Sequence, residues 1–351
     1  MRERRNIVTG LLGLVFSIHS VAFSQTPTPP PQPDTGPGGK QQAHASVIKN
    51  KYGKGSKEYW IYEPDSPKPA TAPLIIFLHG WGGTNPFYYG AWIDHLVKLG
   101  NIVIYPRYQA NILTAREFFI PNTIDGLKAA INTLQTEPGH VRPDLNRVAT
   151  VGHSLGGLLA ASVAALASES GLPKVRAVMS VEPGLTRSPA SVPIADLKKI
   201  PADTLLLAIA GDRDTLVDDE DAIRVFYEST QVSIKNKNFI RLVTDDHGRP
   251  NLIASHRAPT APEKAYDNGE GNQMELGSSG GVGGRSGSDG RIPDVNALDY
   301  YGLWKLFDGL TDAAFFGKNR EYALGNTPQQ RFMGKWSDGV PVKELIVTDK
   351  P

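Results

Sequence analysis

The residue best placed to act as a nucleophile is Ser154, in the sequence Gly152-His153-Ser154-Leu155-Gly156. Residues 147–152 form an apolar strand pattern, and 156–167 form a helix pattern rich in small residues. A G-x-S-x-G sequence between a strand and a helix is typical of a nucleophile elbow, in which a sharp turn exposes the serine hydroxyl. We expect glycine at 152 and 156 because side chains there would collide across the turn. A nucleotide-binding turn is the alternative, but no G-x-G-x-x-G sequence or P-loop lysine accompanies it.

A second glycine-rich segment could stabilise negative charge on a reacting oxygen. The sequence His79-Gly80-Trp81-Gly82-Gly83 follows the apolar run 73–79. A loop of this kind after an early strand supplies a backbone N–H to an oxyanion hole. We predict that the N–H groups of Trp81 and Leu155 are the donors. The Trp81 side chain lines the cleft or packs in the core, and His79, which precedes the nucleophile, is predicted to be structural.

An acid is expected after a late strand, where it would orient a catalytic imidazole. The apolar run 205–210 is followed by Gly211-Asp212-Arg213-Asp214, and Asp214 is the predicted acid, with Asp212 its near neighbour. Glu182 ends another strand pattern and is a further candidate. All three side chains would lie at the same edge of a parallel sheet.

Two histidines follow the acid and compete for the role of general base. His247 lies four residues past Val243, where the last predicted core strand ends, and His256 lies nine residues further on. We predict His247 as the base because it is closer to the strand, and His256 remains the alternative. The order Ser154, Asp214, His247 differs from the chymotrypsin and subtilisin orders.

The elements that must position these residues alternate between strand and helix patterns. Continuous apolar runs are typical of strands buried on both faces, and an i, i+3, i+4 spacing indicates a helix. The pattern predicts an α/β fold with a mostly parallel sheet and helices on both faces. Strands are predicted at 59–62, 73–79, 101–108, 147–152, 175–181, 204–210 and 239–243, and helices at 118–135, 156–167, 219–227 and 298–316.

The flanking segments differ in composition from this alternating region. Residues 1–24 combine arginines, an apolar run and a small-residue cleavage site, which predicts a signal peptide, export to the periplasm or medium, and no stable membrane anchor. Residues 25–44 are rich in proline and glycine and predict an extended linker that buries nothing. Residues 45–351 are then a single domain, with a Gly/Ser-rich loop at 267–292 and an irregular stretch from Gly317 onward.

Composition excludes several classes of function. The 351 residues carry a formal net charge of +1, so no field of one sign points to nucleic acid. The sequence has no cysteine, which excludes disulfides, a thiol nucleophile and a Cys-ligated metal.

From about Pro73 to Pro250 the sequence resembles the α/β-hydrolase superfamily. The segments HGWGG, GHSLGG, GDRDTLV and FIRLVTDDH are most similar to the dienelactone hydrolase, lipase and polyester hydrolase branch. The resemblance implies the α/β-hydrolase fold and hydrolysis of a small or polymeric carboxylic ester through an acyl-enzyme, without a cofactor. An amidase or peptidase using the same triad, and a non-catalytic binding protein, remain alternatives. The sequence does not fix the acyl or alcohol specificity or the oligomeric state.

Overall fold

The computed structural model describes residues 26–186, 191–270 and 293–351. The predicted signal peptide, and residues 271–292 of the predicted Gly/Ser-rich loop, lie outside the described residues. The strands are β1 (Ser46–Tyr52), β2 (Tyr59–Asp65), β3 (Thr71–Leu78), β4 (Ile102–Pro106), β5 (Arg142–His153), β6 (Val175–Val181), β7 (Leu205–Gly211), β8 (Lys237–Leu242) and β9 (Ile346–Thr348).

Helices and short turns connect these strands. The α-helices are α1 (Gly90–Lys98), α2 (Phe119–Thr136), α3 (Leu155–Leu166), α4 (Glu220–Glu228), α5 (Lys305–Phe316) and α6 (Pro328–Arg331). A π-helical turn, Leu298–Trp304, leads directly into α5. Single 3-10 turns lie at Gly55–Lys57, Pro86–Tyr89, Arg116–Phe118, Leu197–Lys199, Ile234–Asn236, Lys264–Tyr266 and Arg320–Tyr322.

The described strands form one nine-stranded sheet in the order β1-β2-β4-β3-β5-β6-β7-β8-β9. The six strands from β4 to β8 in that order are parallel, whereas β1, β2 and β9 pair antiparallel at the two ends. Strand β7 is typical of this parallel centre. All seven of its residues are buried, as expected for a strand covered by helices on both faces.

Successive residues of the central strands point into two separate cores. In β3, Ile75 and Phe77 pack in one apolar cluster, whereas Leu74, Ile76 and Leu78 pack in the other. The first core lies under α1 and α5, and the second under α2, α3 and α4. This three-layer architecture is the α/β-hydrolase fold and confirms the predicted fold class.

Residues 26–44, the N-terminal strap, contradict the prediction of a linker that buries nothing. Pro30 and Gly38 are buried, and the Gly38 N–H donates to a carboxylate oxygen of Asp308 in α5 at 2.7 Å. The Pro27 carbonyl accepts from the Arg249 N–H at 2.8 Å. Proline has no backbone N–H group. A proline-rich strap can therefore pack on the domain with few backbone donors that need a hydrogen-bond acceptor.

The C-terminal stretch is also more regular than predicted. Helix α5 ends at Gly317 in the left-handed conformation with φ 67°, as helix C-termini often do. The chain then forms α6 and returns to the sheet, where Val347 of β9 pairs with Ile240 of β8. Within the described ranges, no helix has the length and apolar character needed to cross a membrane.

Candidate active site

Ser154 lies at the turn between β5 and α3, in a backbone conformation that few non-glycine residues adopt. Its φ and ψ are 57° and −124°. A Cβ added at Gly152 would lie 2.1 Å from the Gly156 carbonyl oxygen, and one at Gly156 would lie 2.0 Å from the Leu78 carbonyl oxygen. Both glycines are therefore required by close backbone approach, Gly152 across the turn as predicted and Gly156 against the end of β3. The N-terminus of α3 faces the serine and favours negative charge there.

His256 contacts the serine and an acid at the same time. Its Nε2 lies 2.9 Å from the Ser154 Oγ, and its Nδ1 lies 2.7 Å from Asp214 Oδ2. A carboxylate only accepts hydrogen bonds, so Nδ1 carries the proton and Nε2 accepts from the serine hydroxyl. The other Asp214 oxygen accepts from the Leu216 and Val217 amides at 3.0 and 3.1 Å. These bonds hold the carboxylate in a fixed orientation.

The structure contradicts the prediction that His247 is the base. The His247 Nε2 lies 2.8 Å from Asp338 Oδ2, and both side chains are more than a third exposed. The hydrogen bond from His247 lowers the pKa of Asp338. His247 therefore belongs to a surface ion pair, and His256, the alternative, occupies the position beside Ser154.

The path of the chain after β8 explains this difference. Asp245 and Leu252 form an antiparallel bridge, so the residues between them project from the sheet as a hairpin. The chain then returns to the sheet edge, where the Arg213 N–H donates to the Ala254 carbonyl at 2.9 Å. His247 lies on the outgoing hairpin, and His256 follows the return. The sequence feature that indicates this return is the pair of apolar residues Leu252 and Ala254, which are both buried in the structure.

The two other acid candidates do not bond the imidazole. Asp212 accepts from the Thr244 N–H and hydroxyl. Glu182 lies at the end of β6, with its Oε2 3.8 Å from the His256 Nδ1. Asp214 is thus the one of the three predicted acids that lies within hydrogen-bonding distance of His256.

The glycine-rich loop after β3 lies against Ser154. A Cβ added at Gly80 would be 3.3 Å from the Ser154 Cβ. The Gly80 amide donates to the Tyr89 hydroxyl, the Gly82 amide to Gln109 and the Gly83 amide to the Gly80 carbonyl. Within this loop the Trp81 amide is left without an acceptor among the described residues. The Leu155 amide is likewise unpaired in that part of the chain, as expected at a helix N-terminus.

The side chains of this loop have structural contacts. The Trp81 ring packs edge-on against Phe119 at 5.3 Å and lies under the Arg116 guanidinium, also at 5.3 Å. The His79 ring nitrogens lie 2.6 and 2.7 Å from the Gly80 and Arg107 carbonyl oxygens. Burial lowers the pKa of His79 to about 4. His79 thus ties the loop to the end of β4.

A second buried histidine and a buried carboxyl group lie next to Ser154, His256 and Asp214. The His153 Nδ1 lies 2.9 Å from the Tyr89 hydroxyl, and its Nε2 lies 3.7 Å from Glu182 Oε2. Burial raises the pKa of Glu182 well above its usual range, and the charge of Asp214 raises it further. Burial and the neighbouring His256 lower the pKa of His153. Burial therefore disfavours the charged form of both groups.

His153, Glu182 and His256 offer three potential metal-ligand atoms within 4.8 Å of one another. The His256 nitrogen that faces Glu182 already bonds Asp214. We therefore interpret the cluster as side chains that pack around the hydrogen bonds of Ser154, His256 and Asp214.

Five aromatic residues near the start of α1 and the start of α2 divide between core and surface. Tyr88, Tyr89, Trp92 and Phe119 are buried, whereas Phe118 is 53% exposed. Of these five, Phe118 alone can present a ring to solvent.

Comparison with known proteins gives matches to esterases. The model of the chlorophyllase family matches residues 37–193, which is less than half of the chain. Esterase LipI of Mycobacterium tuberculosis (strain ATCC 25618 / H37Rv) is 32% identical over 124 residues, which are 34% of this chain and 37% of the relative. The chain therefore spans little more than a third of that relative's length. A structure from a study of two fungal esterases from Rhizomucor miehei aligns with a TM-score of 0.46 and 15% identity, over 57% of this chain and 77% of its own.

The sheet order and the elbow at Ser154 are those of the α/β-hydrolase fold. Over part of its length the chain is similar to the chlorophyllase family and to an esterase.

Proposed function

We propose that the protein is a serine esterase that cleaves carboxylic esters through an acyl-enzyme. Ser154 is the nucleophile, His256 the general base and Asp214 the acid that orients it. The observation that supports this proposal is the continuous pair of contacts, 2.9 Å from Ser154 Oγ to His256 and 2.7 Å from His256 to Asp214. Nucleophile, base and orienting group within hydrogen-bonding distance are the arrangement that activates a serine.

The reaction follows from these positions. His256 Nε2 takes the proton from Ser154 Oγ as that oxygen attacks the ester carbonyl carbon. The carbonyl oxygen becomes negative and accepts from the Trp81 and Leu155 amides. His256 then gives the proton to the departing alcohol oxygen, which leaves the acyl group on Ser154. Water, deprotonated by His256, attacks the acyl carbon, and the serine departs with that proton as the carboxylic acid is released.

We also propose that the protein is exported, with residues 1–24 removed. The basic, apolar and small-residue regions of this segment support the proposal. N-terminal sequencing of protein recovered from the periplasm or medium tests it. A chain that retains Met1, or that remains inside the cell, contradicts it.

Replacing Ser154 by alanine tests the proposed mechanism. Hydrolysis of p-nitrophenyl butyrate should fall by about 10⁴-fold or more, because no acyl-enzyme forms. The unfolding temperature should change little, because the substitution removes one hydroxyl group and its hydrogen bond to His256. A fluorophosphonate probe should label the wild-type protein at Ser154 and leave the variant unlabelled. Full activity in the variant would disprove the mechanism, and a wild-type protein that resists the probe would favour a binding protein.

A panel of matched esters and amides separates an esterase from an amidase or peptidase. We expect faster cleavage of the esters, since an alcohol is a better leaving group than an amine. Within the panel, p-nitrophenyl esters of increasing acyl length define the preferred acid. Preferential cleavage of the amides would overturn the esterase assignment while leaving the serine mechanism intact.

A further inference from the structure

Glu182 is a buried carboxyl group beside the triad for which the mechanism above has no role. It is 0% exposed, and both of its oxygens lack a hydrogen-bond partner among the described residues. Buried polar atoms without partners are rare in folded proteins, because their lost hydration is not replaced. An apolar residue would avoid that cost at the end of β6.

The backbone around Glu182 is arranged to hold this side chain. Glu182 has φ 43°, in the left-handed region that non-glycine residues seldom occupy. A Cβ added at Gly211 would lie 2.7 Å from the Glu182 Oε1, so the absence of a side chain there makes room for the carboxyl group. Strained backbone of this kind is concentrated at functional sites.

The carboxyl group lies between two imidazoles. Its Oε2 is 3.7 Å from the His153 Nε2 and 3.8 Å from the His256 Nδ1. The same Nδ1 bonds Asp214 at 2.7 Å. A shift of less than about 1 Å would bring Glu182 within hydrogen-bonding distance of the catalytic imidazole.

His153 is held with one nitrogen toward Glu182. The Gly80 amide donates to the Tyr89 oxygen, and the same hydroxyl group lies 2.9 Å from the His153 Nδ1. The other ring nitrogen, Nε2, faces Glu182 at 3.7 Å. The charged and titratable groups that face Glu182 are therefore His153 from β5, Asp214 from the loop after β7, His256 from the loop after β8, and Tyr89 before α1.

We propose that Glu182 is a second carboxyl partner of His256, which accepts the Nδ1 proton when Asp214 cannot. In this role it is a positioning residue for the base. The inference rests on the proposed triad function of Ser154 and His256. With Asp214 present, the two acids compete for one N–H, and Asp214 holds it.

Electrostatics supports the exchange of roles. The charge of Asp214 is one of the two causes that raise the pKa of Glu182, the larger being burial. Removing Asp214 therefore lowers the pKa of Glu182 and favours its carboxylate form. That carboxylate accepts from His256 Nδ1–H and stabilises the imidazolium that forms when Ser154 loses its proton. Because burial still opposes ionisation, this variant should require a higher pH than the wild-type protein.

The test compares Asp214→Ala with the double variant Asp214→Ala/Glu182→Gln, in p-nitrophenyl butyrate hydrolysis. We expect Asp214→Ala to lower kcat/KM by about 10–100-fold, and the double variant by about 10⁴-fold, the loss that follows when a triad has no functional acid. The acid limb of the pH profile should move to higher pH in Asp214→Ala, which a purely structural role for Glu182 would not cause. The outcome that overturns the inference is equal activity in the single and double variants, or an acid limb that does not move.

A matched control replaces a buried carboxyl of a different glutamate–histidine pair. Glu63 Oε1 lies 2.8 Å from the His140 Nδ1, at the opposite ends of β2 and β5 from the triad. Asp214→Ala/Glu63→Gln should match Asp214→Ala in kcat/KM. A loss as large as that of the Glu182 double variant would show that the effect is one of folding and would overturn the inference.

Two further measurements keep the inference separate from folding and from the triad itself. Asp214→Ser retains an oxygen that can accept from the Leu216 and Val217 amides. It replaces Asp214→Ala if the alanine variant does not fold. We expect the same activities from the serine variants as from the alanine variants. Ser154→Ala distinguishes the two proposals. If that variant keeps its activity, the proposed function fails. If it is inactive while Asp214→Ala equals the double variant, the inference about Glu182 alone fails.

Discussion

At the scale of single residues, the site depends on which histidine lies beside Ser154 in the folded chain. Ser154 and Asp214 follow directly on β5 and β7, so their positions at the sheet edge could be predicted from the sequence. His256 could not, because a hairpin separates it from β8 and chain distance favoured His247. Asp214 and Glu182 likewise differ only in the structure, where they lie 2.7 and 3.8 Å from His256.

The two histidines give a direct prediction. His256→Ala should lower kcat/KM for p-nitrophenyl butyrate by about 10⁴-fold or more, because Ser154 loses its base. His247→Ala should change kcat/KM by no more than about twofold, since it removes a surface ion pair with Asp338. Steady-state kinetics of both variants checks this. The reverse result would restore His247 as the base.

At the scale of elements, the sequence predicted the buried strands and missed the peripheral ones. Strands such as β3 and β7 are continuous apolar runs, which can be recognised in the sequence as buried strands. Strand β1 has no fully buried residue, and β9 has only three residues. Neither strand therefore shows a clear apolar pattern in the sequence. Helix α1 was not predicted, because it begins at a glycine without a side-chain cap and so shows no start signal in the sequence.

The junction of β5 and α3 gives a prediction at this scale. Gly156→Ala should destabilise the protein by about 3 kcal/mol and abolish activity, because the added methyl group would overlap the Leu78 carbonyl oxygen. Gly126→Ala, in the interior of α2, is the matched control. There the nearest atom is 3.5 Å away, in Pro106, and alanine should stabilise the helix by about 0.5–1 kcal/mol. Urea unfolding of both variants measures the difference, and a tolerated Gly156→Ala would show that the turn can relax.

At the scale of the whole molecule, segments that are distant in the chain pack against one another on the surface of the domain. Composition predicted a free linker at 25–44, because proline-rich segments bury little by themselves. Tertiary contacts reverse that expectation. The Gly38 N–H and the His95 ring both contact the same oxygen of Asp308, at 2.7 and 2.8 Å, which joins the N-terminal strap to α1 and α5.

Two glycines of the N-terminal strap test its attachment. Gly36 and Gly38 both have positive φ, of 81° and 77°, but an added Cβ meets nothing at Gly36 and lies 2.0 Å from the Tyr300 carbonyl oxygen at Gly38. Gly36→Ala should cost about 1–2 kcal/mol from its backbone alone. Gly38→Ala should cost more and should make the strap sensitive to limited proteolysis. Equal stability and equal protection of the two variants would show that the strap is not anchored at Gly38.

Lys305 carries the last prediction, because it joins α5 to the C-terminal segment through a buried amine. Its Nζ donates to the Gln330 and Phe332 carbonyl oxygens at 2.8 and 2.6 Å. Burial lowers the pKa of Lys305 from 10.5 to about 7, while Glu344 acts in the opposite direction. Between these two values the unfolded chain binds more protons at this site than the folded one, so the contribution of Lys305 to stability rises with pH. Below about pH 7 both states are protonated, and the full cost of burying the charge remains.

Comparison with Lys305→Met isolates that contribution from other titrating groups. The free energy of unfolding of the wild-type protein, minus that of the variant, should increase by about 1.4 kcal/mol per pH unit between pH 7.5 and 9.5, the limit set by one proton. Urea unfolding at several pH values measures it. Lys343→Met is a suitable control, because it makes the same substitution at a lysine whose side chain is 53% exposed. A difference that stays constant with pH would mean that the Lys305 amine keeps its proton throughout this range, held by the two carbonyl groups.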